Sequence, residues 1–266
     1  AHGMFSRLLG EDHALAALVL GNMAGVLKQQ GKYAEAVAMG EKALGIKRRT
    51  LGSDHEEVAT SLLNLGGLYS KQGMHEEALV RLEEGLRIVH RIHPEGIELE
   101  GSLLVNIGTI YSEQGKFEDA LTKLKKAHRI FRKTLGSDCA EVGKVLVSTA
   151  CVLKEQGKFD EAMELCKQGI AIQRRALGDE HTEVATSLYN MAVCKIDLLK
   201  VGSLPPSEDD ELVNEVVACL REAHSIYTQA GVSLEPAATV AGILEEVDRP
   251  ARRRHGRRRR SRKVYR

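Results

Sequence analysis

The chain has 266 residues, 43% of them hydrophobic but only 4% aromatic, and it has no Trp. That composition suits many small helix-to-helix contacts and argues against a core built on large rings. The net charge of +1 conceals a division, because residues 249–266 carry +11 and the other 248 residues carry −10. A basic end on an acidic body points to an acidic partner, nucleic acid included. No apolar run approaches the ~20 residues of a membrane span, and Ala1-His2-Gly3-Met4 does not open a signal peptide. The five cysteines (Cys139, Cys151, Cys166, Cys194, Cys219) are odd in number and lack C-x-x-C spacing. They are expected to be reduced, buried thiols of an intracellular, reducing compartment, with the cytoplasm ahead of the nucleus or an organelle matrix.

One heptapeptide recurs along the chain. It reads Gln30-Gly31-Lys32-Tyr33-Ala34-Glu35-Ala36, then Gln72 to Ala78, Gln114 to Ala120 and Gln156 to Ala162, each copy 42 residues after the last. A fixed period of this size is the signature of a stacked repeat array. A second signal keeps the same spacing: Leu9-Gly10, Leu51-Gly52, Leu135-Gly136 and Leu177-Gly178, with the remaining copy degraded to His93-Pro94. Glycine ends one helix, and Ser53 or Asp54 is expected to cap the next, with Glu56 and Glu57 in reach of a capping box. Each repeat therefore holds a helix A before Gln-Gly and a helix B after it. Val58, Leu62, Leu65 and Tyr69 form one helical stripe, and Ala78, Leu82, Gly85 and Val89 form another. Small residues recur where two helices must approach: Ala24, Gly66, Gly108, Ala150 and Ala192 in helix A, and Ala36, Ala78, Ala120 and Ala162 in helix B.

These motifs resemble the tetratricopeptide repeat. The 42-residue period and the linker Leu-Gly-x-Asp-His-x-x-Val-Ala are similar to the kinesin-light-chain type. The resemblance implies an all-α fold: a right-handed α-solenoid of about five antiparallel helix pairs, with helix A on the concave side. It also implies a non-enzymatic adaptor. The repeats fall near 9–50, 51–92, 93–134, 135–176 and 177–230, within an array spanning 1–235. The chain opens with the tail of an earlier repeat, so a missing N-terminal portion or a processed precursor is expected.

The fifth repeat departs from the pattern. Where Gln-Gly is due, residues 200–210 read as an inserted, exposed acidic loop around Pro205-Pro206, with helix B resuming near Glu211. Ser207-Glu208-Asp209-Asp210 has the form of an acid-directed kinase site, although a plain solvated loop is the stronger reading. Residues 236–248 read as a C-terminal capping helix, and 249–266 as an Arg-rich tail.

Candidate binding residues lie opposite the buried stripe of helix A. Asn22, Asn64, Asn106 and Asn190 recur at one position, with Ser148 in the fourth repeat. Asn offers both donor and acceptor, so such a ladder can pair with a bound backbone. In kinesin-light-chain-like repeats the matching Asn contacts cargo peptides; a bond to the neighbouring helix is the equal alternative. Lys28, Lys71 and Lys154 make the expected groove mildly basic. The Lys pair that clamps a terminal carboxylate is absent, with Gly21, Leu63, Val105 and Val147 at its first position. His13, His55 and His181 sit at helix starts, where packing explains them better than a metal. His90 and His93 lack an acid or Cys cluster to complete a site. There is no phosphate loop, His-Glu-x-x-His or nucleophile elbow, so no enzyme, metal or cofactor is expected. The expected function is a scaffold that binds a protein segment in its groove. The alternative is a structural subunit of a large assembly, with a ribonucleoprotein as one form, anchored through the tail.

The tail residues Arg252, Arg253, Arg254, Arg257, Arg258, Arg259, Arg260, Arg262 and Lys263 are the polyanion-binding candidates; an import signal or a solvated end are the other readings. If six of its charges engage a duplex, log affinity against log salt should fall with a slope of about −5, at roughly −0.9 per phosphate. Nucleic-acid titrations of the full chain and of a chain ending at Asp248, from about 50 to 200 mM salt, test this. Equal affinities would remove the tail from polyanion binding.

Overall fold

The computed structural model describes residues 14–94, 96–201, 206–231 and 238–243, with backbone only for 206–209. Ten long helices form five antiparallel pairs among these residues: α1 (Ala14–Gln29), α2 (Tyr33–Leu51), α3 (Glu56–Lys71), α4 (His75–Ile92), α5 (Glu98–Glu113), α6 (Phe117–Thr134), α7 (Ala140–Glu155), α8 (Phe159–Leu177), α9 (Thr182–Val201) and α10 (Pro206–Gln229). No strand occurs among the described residues. The chain divides into two compact units at Ser137 and Asp138.

The first unit holds α1 to α6. Each A helix packs on its own B helix, and α2 and α4 pack on the A helix that follows. Leu62, Leu65, Leu82, Val89, Leu103 and Ile107 fill the centre of its core. The second unit holds α7 to α10, with Val184, Leu188, Leu220, Ala223 and Ile226 at its centre. In both units successive A helices touch, α3 with α5 and α7 with α9.

The turns follow the chemistry of glycine. Gly31, Gly73, Gly115 and Gly157 have φ of 72–76°, a left-handed conformation that costs other residues strain. This lets the chain reverse at once: the N–H of Gly73 donates to Ser70 O at 2.9 Å, and that of Met74 to Tyr69 O at 3.0 Å.

The start of helix A differs from expectation. Its N-cap is His55, whose Nδ1 accepts the Glu57 N–H at 3.2 Å. His181 does the same for Glu183, also at 3.2 Å. Cys139 and Ile97, at the equivalent places, provide no side-chain cap. Helix α3 begins at Glu56, which moves Asp54 too far upstream to cap it. Asp54 instead accepts from Arg91 at the end of α4, and Asp138 accepts from Arg175 at the end of α8 at 2.7 Å. The Asp of the linker thus ties the start of a repeat to its end.

A second correction concerns the insertion. Lys200 and Val201 end α9, and α10 begins at Pro206, five residues before the expected restart. Proline opens a helix readily because its missing N–H needs no partner there. Acidic residues 208–210 then fall at the positive end of the helix dipole. Residues 238–243 are helical, and Val240 is buried in the core cluster formed with α9 and α10. The rest of the expected cap, the tail from 249, and Leu9-Gly10 with Asp12-His13 lie outside the described residues.

Where the linker is degraded to His93-Pro94, a buried carboxylate holds the third repeat together. Glu100 is 4% exposed; Lys126 donates to it at 2.7 Å and His90 at 2.9 Å. Burial alone would raise its pKa, but the hydrogen bonds from Lys126 and His90 outweigh burial and lower it. A depressed carboxyl pKa stabilises the fold above the ordinary carboxylate range, and this contribution is lost as pH falls through the folded value. Glu100→Gln should cost about 2 kcal/mol at neutral pH. Thermal melts should show the gap from wild type narrowing in acid.

Candidate partner-binding site

The face of the A helices left free by the core carries the recurring Asn. In the first unit, Asn22 of α1 and Asn64 of α3 line one cleft of about 300 Å³. Lys28 stands at the same cleft, with Leu18, Leu65 and Leu68 as its apolar wall. Gly21, Gly25 and Gly40 keep it open, since they contribute no side chain. An ideal Cβ on Gly21 or Gly25 would meet nothing within 4 Å. The structure therefore brings three of the seven predicted groove residues to one place.

The other four are distributed differently. Asn106 is half-buried on α5 and leans toward α3, where a Cβ on Gly67 would lie 3.8 Å from its Nδ2. Asn190 is half-buried on α9 in the second unit. Lys71 is exposed at the end of α3, one position beyond the counterpart of Lys28. Among the described residues, the amides of Asn22, Asn64, Asn106 and Asn190 make no side-chain hydrogen bond. The expected alternative, a bond from Asn to its neighbouring helix, is not what these amides do.

Lys154 is not a free groove cation. It is half-buried and bonded to Glu155 at 2.7 Å and to Asp197 of α9 at 3.2 Å. Burial alone would lower its pKa, but these two carboxylates raise it. Asp197 also accepts from Lys200 at 2.9 Å, and its own pKa is held down despite burial. The sequence analysis missed this pairing, although one signal for it exists. Asp197 follows Glu155 by one period, which puts an acid beside Lys154 on the next A helix.

Two cleft residues also escaped the sequence analysis, Lys47 and Ser61. Lys47 is on a B helix, outside the stripe used to choose candidates, and it pairs with Glu57 at 3.3 Å. The five cysteines are free; Cys166, Cys194 and Cys219 are buried. Burial pushes the Cys166 thiol up to about 12 and Cys194 to about 11, which leaves them protonated and poor nucleophiles. His90 and His93 bond to different carboxylates, Glu100 and Glu56. No helix among the described residues is long and apolar enough to cross a membrane.

The family profile described as "Tetratricopeptide repeat" matches residues 1–49, 14–89 and 99–175. The chain belongs to this family. Tetratricopeptide repeats are protein–protein interaction scaffolds, and the fold is typically non-catalytic. No curated protein matches the chain. Among solved structures, it is similar to the nearly identical TPR-like repeats of a Podosopora anserina chain assigned as a kinesin light chain. The identity is 25% and the TM-score 0.56, covering 78% of this chain and 96% of that one. BtubC (BKLC) from P. vanneervenii has the same fold at 16% identity, with a TM-score of 0.60 and 82% of each chain covered.

Proposed function

We propose that this tetratricopeptide repeat protein is a non-catalytic adaptor that binds a segment of a partner protein on the face of its A helices. The observation that carries the reading is the pair of unbonded amides, Asn22 and Asn64, at the cleft between α1 and α3. An amide at a solvent-open cleft can exchange water for the N–H and C=O of a bound chain at little net cost. Lys28 and Lys71 add positive charge, and the exposed Leu18 supplies apolar surface. Small residues between them let a bound backbone or helix approach closely. Residues 1–235 then act as the binding array, 236–248 as its cap, and 249–266 as a separate basic arm.

A second reading rests on the +11 charge of residues 249–266. It makes the chain a structural subunit of a large assembly, anchored by that arm. Purification under native conditions separates the two: varied, substoichiometric partners favour the adaptor, and one stoichiometric complex favours the subunit.

Asn64→Leu with Asn106→Leu tests the groove directly. Both side chains are at least partly exposed, so the melting temperature should stay within a few degrees of wild type. Recovery of the natively purified partner should fall at least tenfold, equivalent to losing about 1.4 kcal/mol. Undiminished recovery by a folded double variant would place binding elsewhere.

A further inference from the structure

Two bridges cross from α2 to α4 in the first unit. Arg81 of α4 reaches Glu41 of α2 at 3.1 Å, and Arg48 of α2 reaches Glu84 of α4 at 2.5 Å. Three periods on, α8 and α10 of the second unit keep the second bridge as Arg174 with Glu222. That pair sets the alignment of α10 across the inserted segment. The first bridge is lost. The position of Glu41 holds Lys167, and those of Val80 and Arg81 hold Ala218 and Cys219.

Without the Arg and its carboxylate, a hollow of about 500 Å³ opens between α8 and α10, floored by α9. Ala171 and Ala218 stand exposed on its walls, and Met191 of α9 is half-buried within it. Beneath them lie Ile170, Leu188 and Cys219, members of the unit's core cluster. The charges at its two ends differ. Arg174 is paired with Glu222 and, at 3.6 Å, with Asp179. Lys167 is exposed and makes no ion pair or hydrogen bond among the described residues.

The lining selects the occupant. An inserted side chain gains by covering apolar atoms. A carboxylate beside Lys167 restores the charge pairing that the α2–α4 groove holds within itself, with the signs exchanged. Lys167 and Arg174 are seven residues apart, so the groove is about 10 Å long at 1.5 Å per residue. Ala171 is one turn from Lys167. A helix puts residues four apart on one face, and alanine walls let a third helix come close. We propose that the groove between α8 and α10 binds an amphipathic helix of a partner protein. That helix sets a large apolar side chain between Ala171 and Ala218 and an acidic side chain, one turn away, on Lys167. This second surface lies on the B helices, goes beyond the adaptor reading of the A-helix face and does not depend on it.

The methyl group of Met191 reads the groove itself, apart from any binding elsewhere. The full chain carrying 13C at its methionine methyls, with Met191→Leu to assign the signal, should be titrated with an acetylated, amidated, alanine-based helical peptide that has Leu and Glu four residues apart. The Met191 signal should shift and saturate. The same peptide with Lys in place of Glu should bind at least about threefold more weakly, the size of an exposed ion pair. Lys167→Glu with Cys219→Arg rebuilds the α2–α4 bridge in this groove; the double variant should melt within a few degrees of wild type and lose the shift. Ala171→Glu, an exposed change that sets a carboxylate one turn from Lys167, should weaken binding even if the double variant fails to fold. No Met191 shift, equal binding of the two peptides, or binding undiminished in Ala171→Glu would overturn the proposal. So would, in the chain alone, Met191 cross-peaks to residues 244–266 or a Met191 signal that moves with protein concentration. These would assign the groove to the chain's own C-terminal segment or to a second copy.

Discussion

Everything in this fold depends on how closely two helices can lie. At the pairing of α7 with α8, Gly143 and Gly169 face each other with no side chain between. A Cβ on Gly169 would come within 2.7 Å of Gly143 O, and one on Gly143 within 2.8 Å of Gly169 O. At the pairing of α3 with α4, Gly66 makes room for Leu82, whose Cγ would be 2.5 Å from a Cβ there. Packed atoms at such separations leave no space for even a methyl group. The small residue on one helix and the branched side chain on the next thus set the spacing. That spacing buries the core stripe of each A helix and leaves its other face outside the core.

Charges act on this frame as ties between its parts. The linker Asp accepts from the Arg that ends the same repeat, as in Asp54 with Arg91 and Asp138 with Arg175. Pairs such as Arg48 with Glu84 and Arg81 with Glu41 connect successive B helices. Exposed pairs of this kind contribute little individually; the linker pair recurs in the second and fourth repeats, where it holds the start of a repeat to its end. Glu100 is the exception, because it is buried and holds α4, α5 and α6 by two bonds where the linker motif is lost.

The fold was legible because its signals repeat. Five helix pairs, the Gln-Gly turns and the small-residue contacts all follow from one 42-residue period. The misreadings came where geometry, not residue type, decides. Asp54 has the chemistry of a cap, but a helix starting at Glu56 gives the role to His55. Pro205-Pro206 looks like a break, yet the second proline opens α10. The site was less legible. The period identifies the position shared by Asn22 and Asn64, but not that their amides stay unbonded. Nor does the position of Lys154 reveal the carboxylate that occupies it, because that acid comes from another helix. The approach of Gly143 to Gly169 was not legible, because the small residues at the position of Gly143, Ala17, Ala59, Gly101 and Ala185, were not read as a set.

The central claim, that bare glycine contacts set the helix spacing, is tested most directly by comparing two alanine substitutions in thermal melts. Gly67 has only Asn106 Nδ2 near its Cβ position, at 3.8 Å, and helical glycine is less favourable than alanine by about 0.5–1 kcal/mol. Gly67→Ala should therefore hold or slightly raise the melting temperature. Gly169→Ala gains the same helix propensity but collides with a backbone carbonyl that cannot turn aside, and overpacking of this kind costs about 1–3 kcal/mol or more. Its melting temperature should fall by roughly 5 °C. Equal behaviour of the two variants would contradict the account.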